Sequence, residues 1–410
     1  MDFSAQAADF DKRDGLARFR ERFPMPPGVI YLDGNSLGPV SRDAKRSLEQ
    51  ALSSWETNQI EGWTEGEAPW LFLPEQIGAR LAPLVGANPD EVIATGSTTL
   101  NLHQLLSTLY DGSGPILLDA NSFPTDRYAI QSHLTLRGLN PETHLRFVEP
   151  DEATIEAVLE QERIALAVLP SVVYTSGRLL DMARLTRAMQ AQGGIVLWDL
   201  CHSIGALPHA LSEIEADGAF WCSYKWLSAG PGAVGGLYLN SRHFERAPGI
   251  AGWFGAAKTL LFSGSHTLTP AQGAGRLQTG TTHVLSLAPL AGVLTLFEEA
   301  GITAIRAKSL ALTSFLRECL AELAPELVCI TPTTDNQRGG HLTLRHPQAA
   351  ALSRALRARG VVGDHRPLDL LRLAPAPLFT SFVDCVEAAQ RVRQALDSGL
   401  NLETDGGLVP

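Results

Sequence analysis

From about Glu91 to Leu239 the chain repeats one pattern: short apolar runs, bounded by Gly, Pro, Asn and Asp, alternate with stretches of helical periodicity. The runs are Glu91 to Ala94, Ile116 to Leu118, Leu145 to Val148, Ala165 to Leu169, Ile195 to Leu200 and Gly235 to Leu239. Runs this short predict buried strands, and the amphipathic Asp181 to Gln192 exemplifies the helices between them. Such alternation dictates an α/β fold whose sheet is mostly parallel. Sheets of that kind gather ligand groups at the carboxyl ends of their strands, so chemistry is sought there.

After about Ala300 the texture changes to Arg-rich and Ala/Leu-rich helices. Then come the strand-like His341 to Leu344, a helix over Ala349 to Arg359, and the strand-like Leu371 to Ala374. We expect a large domain over residues 41–295 and a smaller α+β domain formed by 1–40 and 296–410, a division that 410 residues can support. No internal repeat or low-complexity tract is present.

Asp and Glu number 44 against 33 Lys and Arg, a net charge of −11, so nucleic acid and anionic membranes are poor partners. An anionic ligand then requires local positive groups. The N-terminus has neither the basic flank nor the apolar core of a signal peptide, and the apolar stretch from Val284 to Phe297 is interrupted and too short to span a bilayer. A cytoplasmic protein is expected. The five cysteines are scattered without a Cys-x-x-Cys pair, which predicts reduced, mostly buried thiols and no metal site.

The densest polar and aromatic cluster runs from Ala219 to Ala233, with Lys225 between aromatic residues and a glycine-rich turn. Apolar flanks lower a lysine's pKa and make it a nucleophile, although most lysines are simply surface groups. Gly230-Pro-Gly-Ala-Val-Gly matches a dinucleotide-binding pattern, but a strand rather than a helix follows it, so it reads as a tight turn. Upstream, the run from Ile195 ends on Asp199, with His202 close behind. An aspartate so placed can keep a pyridinium nitrogen protonated, and a short strand separates it from Lys225: one group for each end of a cofactor ring.

Two further segments leave strands. Thr95-Gly-Ser-Thr-Thr enters a helix with hydroxyls and free N–H groups suited to an anion, though for this segment alone ordinary capping by Ser97 or Thr98 is the better explanation. Phe123-Pro124-Thr125-Asp126 offers a ring to cover a cofactor face and a carboxylate for a ring substituent, or merely a turn with a capping Asp. Each has an ordinary explanation alone. All four in order along one α/β domain point to pyridoxal 5′-phosphate (PLP) chemistry, with Lys225 as the Schiff-base lysine.

These residues resemble the kynureninase family, whose fold is the α/β, fold-type I architecture of PLP-dependent transferases. The resemblance spans Leu32-Asp-Gly-Asn-Ser-Leu-Gly, Gly96-Ser-Thr-Thr-Leu-Asn-Leu-His, Phe123-Pro-Thr-Asp, Asp199-Leu-Cys-His-Ser and Trp221-Cys-Ser-Tyr-Lys. It continues through Gly252-Trp-Phe-Gly, Gln278-Thr-Gly-Thr and Leu371-Arg-Leu-Ala-Pro-Ala-Pro-Leu. It implies that Asp199 pairs with the pyridine nitrogen, that Phe123 stacks on the ring with Pro124, Thr125 and Asp126 beside it, and that Thr98, Thr99, Ser171, His202, Tyr224 and Trp253 complete the pocket. Thr281 is implied to reach a phosphate across a homodimer interface. Arg372 is implied to clamp the substrate α-carboxylate, with Asn35, Ser36 and Trp63 also on the substrate side.

The implied reaction is hydrolysis of the Cβ–Cγ bond of L-kynurenine to anthranilate and L-alanine, with 3-hydroxykynurenine a poorer substrate because the Trp63 indole crowds a ring hydroxyl. Tyr224 is the implied acid/base beside Lys225, and the pathway is tryptophan degradation or NAD supply. The chain departs from the family at Thr282-His283, where proline is common, and at Leu227-Ser228-Ala229, where an Asn is usual. The rival readings are a cysteine desulfurase or aminotransferase on the same fold, or a PLP-fold protein that binds without turnover.

Overall fold

The computed structural model describes residues 2–367 and 369–400; residues 368 and 401–410 of the expected small domain lie outside the described residues. Its strands in chain order are β1 (Ile30–Tyr31), β2 (Val92–Ala94), β3 (Ile116–Asp119), β4 (Leu145–Val148), β5 (Leu166–Pro170), β6 (Ile195–Asp199), β7 (Gly218–Trp221) and β8 (Gly236–Leu239). There follow β9 (Val328–Cys329), β10 (Leu342–Arg345), β11 (Val361–Val362), β12 (Asp364–Arg366) and β13 (Leu370–Leu373). A seven-stranded sheet has the order β2-β8-β7-β6-β5-β3-β4. Its pairs are parallel except where β8 meets β2 and β7. The six runs read from the sequence fall on β2 to β6 and β8, and β7 is the short strand expected between Asp199 and Lys225.

Why these strands read as unbroken apolar runs is visible in their two faces. Successive side chains point to opposite sides of a sheet. In β5, Ala167 and Leu169 join one core while Leu166 and Val168 join the other; in β6, Val196 and Trp198 oppose Leu197. Both faces are covered by helices, so neither parity can be polar. Met182–Ala191 is one such helix, capped by Asp181, whose side chain accepts the Arg184 N–H.

A four-stranded antiparallel sheet, β12-β13-β10-β9, lies over a separate core that includes Leu316, Leu352, Leu371 and Val392. The N-terminal segment serves both cores. Phe3, Ala7, Ile30 and Leu32 pack in the second, whereas Leu16, Phe19 and Phe23 pack in the first. Burying a phenylalanine as fully as Phe19 contributes about 2–3 kcal/mol, so this segment is a structural strap rather than a loose arm.

The helix Val284–Ala300 is apolar, yet Leu287, Leu290, Val293, Leu294 and Phe297 lie in the core. It bends by 81° into Ile302–Leu323 at Gly301, whose φ of +74° suits glycine. Among the described residues no single helix is long and apolar enough to cross a membrane.

A candidate active site at the strand ends

A cavity of about 610 Å³ opens where β3, β5, β6 and β7 end, and the second sheet closes it from the other side. One wall is the start of the helix Thr98–Leu109. Gly96 turns the chain at φ +57°, where an added Cβ would meet Asn101 Oδ1 at 2.5 Å. Ser97 then caps the helix by accepting the Leu100 N–H, and Thr98 and Thr99 line the cavity. Capping and anion binding are therefore compatible here, because one residue caps and the next two face the space. Thr99 Oγ1 lies 2.7 Å from Thr125 Oγ1, which ties this turn to the next segment.

That segment begins at Phe123, with Pro124 in the first turn of the helix Pro124–Leu136, where its missing N–H costs nothing. Phe123 stays 48% exposed, its ring edge-on to Tyr174 at 5.9 Å. Asp126 is buried and forms no side-chain hydrogen bond among the described residues.

Lys225 follows β7, and its Nζ lies 2.8 Å from His202 Nε2. Burial, reinforced by the Lys225 charge, holds the His202 imidazole well below its usual range, so it is neutral and accepts from the amine. The lysine's backbone is fixed from an unexpected direction. Gly38 donates its N–H to the Tyr224 carbonyl at 2.7 Å, and a Cβ at Gly38 would collide with Lys225 O and Ser228 Oγ. Only glycine allows that approach. Ser228, in the stretch where the family usually has Asn, sits at φ +55°, a left-handed conformation that asparagine tolerates better than serine.

Three carboxylates crowd the same end. Asp199 Oδ1 accepts the Cys201 N–H at 2.7 Å. Asp119 accepts from Asn121 N, leaves Oδ2 buried without a partner among the described residues, and is pushed up to about 7, chiefly by burial with Glu149 and Asp199 nearby. Burial and the Asp199 charge also push Asp126 well above its usual range. Tyr224 is raised by burial and the neighbouring Cys222, so its phenol keeps its proton.

The opposite wall is cationic. Arg372 pairs with the fully buried Asp364 through Nε at 2.7 Å and through Nη2, and donates Nη1 to the Tyr174 carbonyl at 2.9 Å. The parallel pairing of β1 with β11, continued by the Asp33 to Ala374 bridge, brings Asn35 and Ser36 to this wall. Asn35 is wholly buried, and among the described residues both its amide atoms are unpartnered.

Four expected residues are elsewhere. Ser171 is buried beneath Asp199, its Oγ 2.6 Å from Ser203 Oγ and 3.1 Å from the Asp199 carbonyl. Trp253 is half exposed against Phe254 and Phe262. Thr281 lines a small separate cavity with Gly96 and Leu100. Trp63 packs edge-on to Trp70 at 5.6 Å beside a third cavity that includes Trp55 and Leu285. The sequence reading in turn missed Asp33, Asp119, Tyr174, Asp364 and Arg366. Asp119 ends its strand just as Asp199 does, and the same rule identifies it.

The donor set fits PLP: an amine beside a neutral imidazole, strand-end carboxylates short of a cationic partner, a helix start with two threonines, and an aromatic ring. Asp119, Asp126 and Asp199 crowd this end, and the positive charge of a pyridinium would relieve the repulsion among them.

Comparison with known proteins agrees. The profile of the kynureninase C-terminal domain matches residues 305–392. A kynureninase of Geobacillus thermodenitrificans is 47% identical over 95% of this chain and 94% of its own, and one of Bacillus cereus is 46% identical over the same shares. Among solved structures, the apo cysteine desulfurase of Thermococcus onnurineus superposes with a TM-score of 0.78 at 16% identity, covering 93% of this chain and 98% of its own. A C-DES variant with glycine covalently linked to its PLP cofactor gives 0.78 at 20% identity, over 91% and 98%. At such identities the structures share the PLP-enzyme fold, while the near-full-length curated relatives are closer: the chain belongs to the kynureninase family.

Proposed function

We propose that the protein is a PLP-dependent hydrolase that cleaves the Cβ–Cγ bond of L-kynurenine to anthranilate and L-alanine, as a cytoplasmic homodimer. The observation that carries the reading is one cavity with two opposed ends: an amine among carboxylates, and paired arginines facing it. When bound, the cofactor supplies the sink for the electrons left on Cβ as the bond breaks.

The chain's own groups do the rest. Lys225 Nζ holds the cofactor and then moves the substrate's Cα proton, with neutral His202 as its hydrogen-bond partner. Tyr224, kept protonated by burial, is the acid that returns a proton to carbon or oxygen. Thr98, Thr99 and the helix start hold the phosphate, Asp199 the ring nitrogen, and Phe123 with Asp126 the ring; Ser171 and Pro124 act by fixing those segments. Arg372 serves the substrate carboxylate, with Asn35 and Ser36.

Thr281, Trp253 and Trp63 are assigned to a site completed by a second copy. Large exposed apolar side chains, among them Trp55, Ile60, Phe72 and Phe262, favour such an interface. We retain the division into 41–295 and 1–40 with 296–410.

Purified protein given PLP and L-kynurenine is expected to release anthranilate and alanine in equal amounts, and Lys225→Ala to lower that rate about 10³-fold or more. Normal turnover by Lys225→Ala overturns the assignment. Sulfide release from cysteine favours a desulfurase, a chemistry opposed by Cys201, the thiol at the cavity, whose hydrogen bond to the free thiol of Cys222 and burial push its pKa up.

A further inference from the structure

One carboxylate on the cationic wall is shared by two arginines. Asp364 Oδ2 contacts Arg372 Nη2, lies 2.6 Å from Arg366 Nη2, and accepts Ser36 Oγ at 2.8 Å. Burial opposes its ionisation, but the hydrogen bonds and charge of Arg372, with Arg366, hold it down to about 2.

A guanidinium has five N–H donors and grips a carboxylate best with two parallel ones. Arg372 spends Nε on Asp364, Nη2 on Asp364 and on Ser36 Oγ at 3.1 Å, and Nη1 on the Tyr174 carbonyl. That leaves a single Nη1 hydrogen, too few for a bidentate clamp. Arg366 is differently placed. It lines the cavity, its side chain is 25% exposed, and Nη2 carries its contacts to Asp364 and, at 3.4 Å, Ser36. Its Nε is buried and has no hydrogen-bond partner among the described residues.

We propose that Arg366 is the second arm of the carboxylate site: the α-carboxylate of the substrate is received jointly by Arg366 and the remaining Nη1 hydrogen of Arg372, with Asp364 as the brace that holds the two guanidiniums side by side. Asn35, buried with its amide unpartnered on the same cavity, adds a neutral donor. The proposal rests on the kynurenine-cleaving reading, and it assigns Arg366 a contact with substrate and Asp364 a positioning role.

The test uses PLP-loaded enzyme, wild type and with Arg366→Gln or Arg366→Lys. Two ligands are compared: L-kynurenine, and the same amino aryl ketone lacking the carboxylate, whose binding is read from the cofactor's absorbance. Arg366→Gln is expected to raise KM for L-kynurenine about 10- to 100-fold, the range of a charge-assisted hydrogen bond, with kcat changed less than about 3-fold. Arg366→Lys should recover part of the loss, and it carries the test if the Gln variant does not fold. The analogue without the carboxylate should bind wild type and variants alike. An unchanged KM, or equal weakening of both ligands, overturns the proposal. Wild-type enzyme that neither changes absorbance with L-kynurenine nor releases anthranilate overturns the reaction reading, and this proposal with it.

Discussion

The two ends of the cavity are both built from buried aspartates, and they behave in opposite ways. Where the parallel strands end, Asp119 and Asp126 face Asp199 and are pushed toward holding protons. On the antiparallel sheet, Asp364 lies between two guanidiniums and is held down to about 2. Depth of burial does not separate them, since all three are nearly inaccessible. The partner does. The first end has more anion than cation and is completed by something that arrives; the second is already paired and is built to hold its shape.

The largest effect should follow from breaking the paired end. Asp364→Ala leaves the buried Arg372 guanidinium, and the partly exposed Arg366 beside it, without their carboxylate and is expected to lower stability by about 3–5 kcal/mol, read from a denaturant midpoint at pH 7. Because the folded pKa of Asp364 is depressed, its contribution is present above the unfolded value and is lost as pH falls toward about 2. Wild type and variant should therefore converge in acid; a constant gap breaks the contrast.

Next comes the unfinished end. Asp199→Asn removes the carboxylate assigned to the pyridine nitrogen, and kcat for anthranilate release is expected to fall about 100-fold with little change in unfolding midpoint. Equal losses in stability and rate would erase the distinction between an end that holds shape and one that awaits a ligand.

Asp33 sharpens the comparison because it sits near the arginines yet behaves like the other end. Burial, then the Asp364 charge, pushes it up to about 6. With the folded pKa raised, its contribution is fully present below the unfolded value near 3.8 and is lost as pH rises through about 6. Asp33→Asn is expected to stabilise the protein by about 2 kcal/mol at pH 7.5 and hardly at all at pH 4, by thermal unfolding at both. The smallest effect is on substrate choice: Trp63→His should shift the kcat/KM ratio toward 3-hydroxykynurenine by about 3- to 10-fold, and no shift removes Trp63 from the substrate side.

How legible each end is in the sequence follows from the same physics. Asp199 and Lys225 stand where apolar runs stop, and a run that stops on a charge is a local signal. Asp364 and Arg366 flank His365 in a strand of three residues, a pattern that looks like an exposed turn until β13 and the N-terminal segment bury it. The ion pair joins β12 to the adjacent β13, and its burial depends on the distant N-terminal segment that carries Ser36, which no local pattern marks. For Trp63, Trp253 and Thr281 the motifs give a family position, but not their place outside the cavity that Lys225 lines.

Gly38 carries a consequence for how the enzyme is made. Its contact with the backbone of Tyr224 and Lys225 joins a segment ahead of the seven-stranded sheet to a loop far along the chain. Such a long-range contact forms only after most of the chain has collapsed, because its loop-closure entropy must be met before it adds anything. Alignment of Lys225, the lysine proposed to hold the cofactor, is thus a late step in folding, and during renaturation enzyme activity should return after helical circular dichroism has already recovered.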